Sequence, residues 1–96
     1  MLTTKQRKFL RAQAHQLNAI LQVGKLGVSP ALLEQVSLAL EANELIKVSI
    51  LQNCDQDRHQ VADQLAVGTG ADLVQLIGKV VVLYRTSINR PRITLP

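Results

Sequence analysis

The 96-residue sequence has one cysteine, no tryptophan and only two aromatic rings, Phe9 and Tyr84. Hydrophobic residues still make up 47% of it, so a core must be assembled from Leu, Val, Ile and Ala, and the length suits one modest core in one domain. The scarcity of rings argues against a protein that stacks successive single-stranded bases on exposed aromatics. Cys54 stands alone, which excludes an internal disulfide and fits a reducing compartment. No apolar run approaches the ~20 residues of a membrane span, and the basic N-terminus has no apolar h-region with a small-residue cleavage site. The chain therefore reads as cytoplasmic, with no membrane partner.

Acids are missing from residues 1–33 and again from residues 73–96; all seven, Glu34, Glu41, Glu44, Asp55, Asp57, Asp63 and Asp72, lie between. Lys5, Arg7, Lys8, Arg11 and Lys25 occupy the first stretch, and Lys79, Arg85, Arg90 and Arg92 the last. The net charge is +4, but its placement matters more. If the two ends of the chain lie together, they form one basic face suited to a polyanion.

Local signals give the order α-β-α-β-α-β-β. Thr3 and Gln6 have the spacing of a capping box, and Leu10, Ala14 and Leu17 recur at helical intervals, with Lys5, Arg7, Lys8 and Arg11 outward. Ala19 to Val23 reads as a buried strand stopped by Gly24. Ser29 is an N-cap with Pro30 at the first helical position, and the helix runs to about Ala42 with Leu32, Leu33, Val36 and Leu40 inward. Glu44 to Leu51 alternates as a strand, Ile46, Val48 and Ile50 on one face and Leu45, Lys47 and Ser49 on the other. Asp55 or Asp57 caps a third helix with Val61, Ala62, Leu65 and Ala66 inward, ended by Gly68 and Gly70. Leu73 to Ile77 and Val80 to Tyr84 form a hairpin across Gly78-Lys79. Strand-helix-strand links favour parallel pairing and the hairpin is antiparallel, so the expected fold is α/β, a four-stranded mixed sheet with helices packed on it. Residues 86–96, with two prolines and two arginines, are expected to trail over the surface as a flexible tail.

Gly24-Lys25-Leu26-Gly27 lies between a strand end and a helix start. Such a loop presents unpaired backbone N–H groups and the positive end of the helix dipole, and glycines allow close approach to a phosphate. It is not a nucleotide P-loop, since no G-K-[ST] follows at the required spacing. A G-x-x-G loop that clamps nucleic-acid backbone is a known device, and with few aromatics recognition is expected through phosphate, sugar and the shape of folded RNA. Cys54-Asp55-Gln56-Asp57-Arg58-His59 gathers a thiol, two carboxylates and an imidazole, but the spacing fits no zinc pattern and an aspartate before a helix is ordinarily its cap. A small enzyme acting through that segment is the rival class; a module that reaches its target through a protein is another.

The segments AHQLNAILQVGKLGVSPALLEQVSLALEANELIKVSI and TGADLVQLIGKVVVLYR resemble the CRM domain, the RNA-binding module of chloroplast splicing factors, in its stand-alone bacterial, YhbY-like form. Ala14-His15, Gly24-x-x-Gly27, Glu44 to Val48, Ile77-Gly78-Lys79 and Leu83-Tyr84-Arg85 carry the likeness. Where the family commonly has an acid before Thr69-Gly70-Ala71, this chain has Gly68. The resemblance implies a fold similar to the C-terminal domain of bacterial translation initiation factor three, a non-enzymatic role without cofactor, metal or small-molecule substrate, and association with ribosomal RNA in precursors of the large ribosomal subunit. It places RNA contact at Gly24, Lys25, Leu26 and Gly27, and matches family basic positions at Lys47 and Arg85. With Lys5, Lys8, Arg11 and Lys79 these make the expected RNA-binding footprint.

Overall fold

The computed structural model describes residues 2–96. They form helix α1 (Thr4–Ala14), strand β1 (Ala19–Val23), helix α2 (Pro30–Asn43), strand β2 (Leu45–Ile50), helix α3 (Arg58–Thr69) and the hairpin strands β3 (Asp72–Ile77) and β4 (Val80–Tyr84). The caps are those the sequence names. Thr3 Oγ1 accepts from the Gln6 amide while Gln6 Oε1 accepts from the Thr3 amide, both at 3.0 Å. Ser29 accepts from the Leu32 amide at 3.1 Å, and Asp57, rather than Asp55, accepts from the His59 amide at 3.0 Å.

The sheet order is β1-β2-β4-β3, with β1 parallel to β2 and the other pairs antiparallel. The last strand thus inserts between β2 and its hairpin partner. Helices α2 and α3 cover one face, where Val36, Leu40, Ile46, Val48, Leu65 and Val81 are enclosed with other aliphatics. The opposite face carries α1 over Leu45, Val74, Val82 and Tyr84. Each fully enclosed aliphatic of this kind contributes roughly 1.5–3 kcal/mol. Gly68 is bare because α3 lies close on α2: a Cβ there would stand 2.8 Å from a Leu33 methyl.

Some expectations change. β1 is not a buried strand but the edge strand, and of its five residues only Val23 is enclosed. Leu17 does not extend α1; its amide closes a turn on the Ala14 carbonyl at 2.9 Å, and its side chain is 38% exposed. Glu44 is not the first strand residue but the C-cap of α2, fully enclosed, with φ +67°. Nor does the tail trail. Glu44 Oε2 accepts from the Ser87 amide at 2.8 Å and Oε1 from the Arg92 and Ile93 amides at 2.6 and 2.7 Å. Glu41 accepts from the Ser87 hydroxyl and from the Ile88 and Asn89 amides at 2.6–3.1 Å. Ile93 and Leu95 then pack on the α1 cluster beside Phe9. Two carboxylates at the end of α2 therefore supply the acceptors that a segment without helix or strand lacks.

Candidate nucleic-acid interface

The Gly24 to Gly27 segment is a closed turn, the Gly27 amide donating to the Gly24 carbonyl at 3.0 Å. Its two glycines differ in kind. Gly27 has φ +70°, and a Cβ there would lie 2.4 Å from Gln56 Oε1; the fold itself demands glycine. Gln56, from the loop between β2 and α3, also accepts from the Val28 amide at 3.2 Å. Gly24 has neither constraint: its φ is not positive, and among the described residues nothing lies within 4 Å of where a Cβ would stand. Of the five glycines it alone has no internal reason to be bare, since Gly68 meets Leu33 and Gly70 and Gly78 have positive φ.

The helix start offers less than its position suggests. Val28 and Leu32 spend their amides on Gln56 and Ser29, the Leu33 amide donates to the Ser29 carbonyl, and Pro30 has none. Lys25 and Leu26, at the exposed tip, make no backbone hydrogen bond among the described residues, and Leu26 is 93% exposed. An anion held here would meet those two tip amides and the Lys25 ammonium.

Lys79 and Arg58 stand at the same end of the sheet. The Ile50 amide donates to the Lys79 carbonyl at 2.7 Å and the Leu51 amide to the Val23 carbonyl at 2.9 Å, so the hairpin tip and the glycine turn flank the end of β2. Arg58, which carries no local signal for this role, reaches the hairpin and donates to the Gly78 carbonyl at 3.0 Å. On α1, Lys5, Lys8 and Arg11 are exposed, and the spacing of Lys8, Arg11 and His15 puts them on one stripe. Lys47 is half-buried on the same face of the sheet as α1, its Nζ donating to the Leu17 carbonyl at 3.0 Å. Most acids lie elsewhere: Glu34 and Glu41 on α2 and Asp63 on α3 belong to the opposite layer, while Asp55 and Asp57 sit in the loop that carries Gln56.

Two arginines turn inward. Arg85 donates to the Ser37 hydroxyl at 2.9 Å, the Ser37 carbonyl at 2.7 Å and the Thr69 carbonyl at 2.7 Å. Its planar fork ties the middle of α2 to the end of α3, so it leaves the expected RNA footprint. Arg7, expected on the outer surface of α1, is half-buried and donates to the Leu73 and Val74 carbonyls of β3. In the Cys54 segment the roles are structural: Cys54 packs against the α2–α3 core, Gln56 braces the glycine turn and Asp57 caps α3.

Residues 2–85 match the family model of the CRS1 / YhbY (CRM) domain. The chain is 52% identical over 96 residues to the Probable RNA-binding protein YqeI of Bacillus subtilis, covering 100% of both chains. It is 36% identical over 95 residues to an RNA-binding protein of Haemophilus influenzae, covering 99% of this chain and 95% of the other. The solution structure of the Staphylococcus aureus protein SAV1595 superposes with a TM-score of 0.83 at 43% identity, covering 100% of each chain. On the match of residues 2–85 and these full-length likenesses, the chain belongs to the CRS1/YhbY (CRM) domain family.

Proposed function

We propose that this protein binds folded ribosomal RNA and assists assembly of the large ribosomal subunit without catalysing a reaction. Contact begins at the Gly24–Gly27 turn, where the Lys25 and Leu26 amides and the Lys25 ammonium hold a phosphate. Lys5, Lys8, Arg11, Lys47 and Lys79 extend the footprint along α1 and the adjoining face of the sheet. Relatives named as RNA-binding proteins support an RNA partner. The observation that carries the site is Gly24: a bare backbone with no internal cause, beside an exposed lysine, is what close approach of a phosphate needs.

The test is binding of purified protein to a structured large-subunit rRNA fragment, comparing wild type with Lys25→Glu and Gly24→Asp. Both positions are open in the fold, so the variants are expected to keep native stability and lose at least tenfold in affinity. Equal binding by the folded variants would make the turn a connector only. Absence of affinity for naked RNA would point instead to a protein partner.

A further inference from the structure

A cavity of about 180 Å³ opens between the last turn of α1 and the part of the sheet that α1 leaves bare. Arg11, His15 and Lys47 stand around it, Gln75 lines one side, and Ile77 and Val80 contribute apolar surface. Register explains the arrangement. Lys47 of β2 pairs with Val82 of β4, and Val82 with Gln75 of β3; one step nearer the glycine turn, Ser49 pairs with Val80 and Val80 with Ile77. A register shift between Leu73 and Gln75 accompanies the placement of Gln75 at the cavity. Among the described residues no carboxylate lines the space.

We infer that this cavity receives one unpaired nucleotide of the bound RNA, a reading that rests on the proposed RNA-binding function and adds a subsite to it. The volume is below the ~300 Å³ at which sites for drug-sized molecules begin, and suits a single flat heterocycle. Ile77 and Val80 give that base an apolar floor, and the Arg11 guanidinium offers a plane on which it stacks in a protein nearly without aromatics. Gln75 presents both a donor and an acceptor to a base edge. Lys47 has spent one ammonium hydrogen on the Leu17 carbonyl; the other two, with His15 and Arg11, face the flanking phosphates. A duplex cannot reach this floor, because its bases are stacked inside the helix. The cavity therefore selects RNA with a bulged or looped-out residue, whereas the glycine turn needs only a phosphate.

Two synthetic RNA hairpins test this, one fully paired and one identical except for a single bulged adenosine. Wild type is expected to bind the bulged hairpin about tenfold more tightly, the lower end of what stacking one base contributes. Val80→Phe, which fills the cavity from the half-buried first residue of β4, is expected to erase that preference and leave affinity for the paired hairpin unchanged. Lys25→Glu should weaken both hairpins alike. Gln75→Ala reads the same preference should the phenylalanine disturb folding, and the bulged RNA alone is expected to shift the Gln75, Ile77 and Val80 amide resonances. No preference in wild type, or a preference that survives both cavity variants, overturns the inference while Lys25-dependent binding of the paired hairpin leaves the proposed function intact. Failure to bind either hairpin contradicts both readings. If polyglutamate shifts the same amides as strongly, the cavity is a general anion site and the inference falls.

Discussion

Glu44 holds a backbone conformation that L-residues avoid, φ +67°, while its carboxylate is fully enclosed and accepts three tail amides. Burial pushes its pKa up, but the Ser87, Ile93 and Arg92 amides outweigh that and leave it below the ordinary value. Glu44→Ala keeps the unfavourable φ and loses the acceptors, so it should cost about 2–4 kcal/mol in urea unfolding. Glu41 is held from 4.5 down to about 2, chiefly by the Ile88 amide, then by the Ser87 hydroxyl and the Asn89 amide. A depressed folded-state pKa stabilises fully above the unfolded value, so this contribution is intact above pH 4.5 and is lost as pH falls towards about 2. The Ile88 and Asn89 amide resonances should move with a midpoint near 2 in an NMR pH titration; a midpoint near 4.5 would show that the carboxylate is unpaired. The glycine pair is read at the same scale. Gly27→Ala should destabilise by about 1–2 kcal/mol in thermal unfolding, through positive φ and the Gln56 clash, where Gly24→Ala is nearly neutral. Sequence named both glycines as a pair, yet only the folded chain, through the positive φ of Gly27 and the approach of Gln56 from a loop distant in sequence, separates a structural glycine from one open to a ligand.

Among the elements, those with local chemistry were legible. The Thr3–Gln6 capping box, Ser29-Pro30, the αL Gly70 and the Gly78-Lys79 turn each fix a boundary within a few residues of itself. Strand order was not, because β4 reaches its place between β2 and β3 through pairings that no local pattern encodes. Arg85 illustrates the same limit. A basic residue just past a strand looks like surface charge, and only the folded chain brings Ser37 of α2 and Thr69 of α3 to its guanidinium. Arg85→Ala should therefore lower stability by about 2–3 kcal/mol, seen as a reduced urea midpoint, with RNA affinity unchanged at temperatures where the variant is folded. Arg85→Lys should recover little of the loss, since an ammonium cannot reproduce the fork. A variant of normal stability and weak RNA binding would return Arg85 to the interface.

For the whole molecule, the basic ends of the sequence do meet, though not through a loose tail. The tail is tied to α2, α1 lies across one face of the sheet, and the glycine turn and hairpin tip share one end of it. Among the described residues no helix is long and apolar enough to cross a membrane. The charge map was legible because it is a property of order along the chain; which cations remain available was not, because Arg7 and Arg85 are consumed by carbonyls. The central claim is that Lys5, Lys8, Arg11, Lys25, Lys47 and Lys79 neutralise RNA phosphates. The most direct measurement is the salt dependence of affinity for a structured large-subunit rRNA fragment, for wild type and Lys25→Glu side by side. Six phosphate contacts predict that log K falls against log[salt] with a slope of about −4 to −5, made shallower by about 1 in the variant. A flat salt dependence, or the same slope and affinity in both proteins, would contradict it.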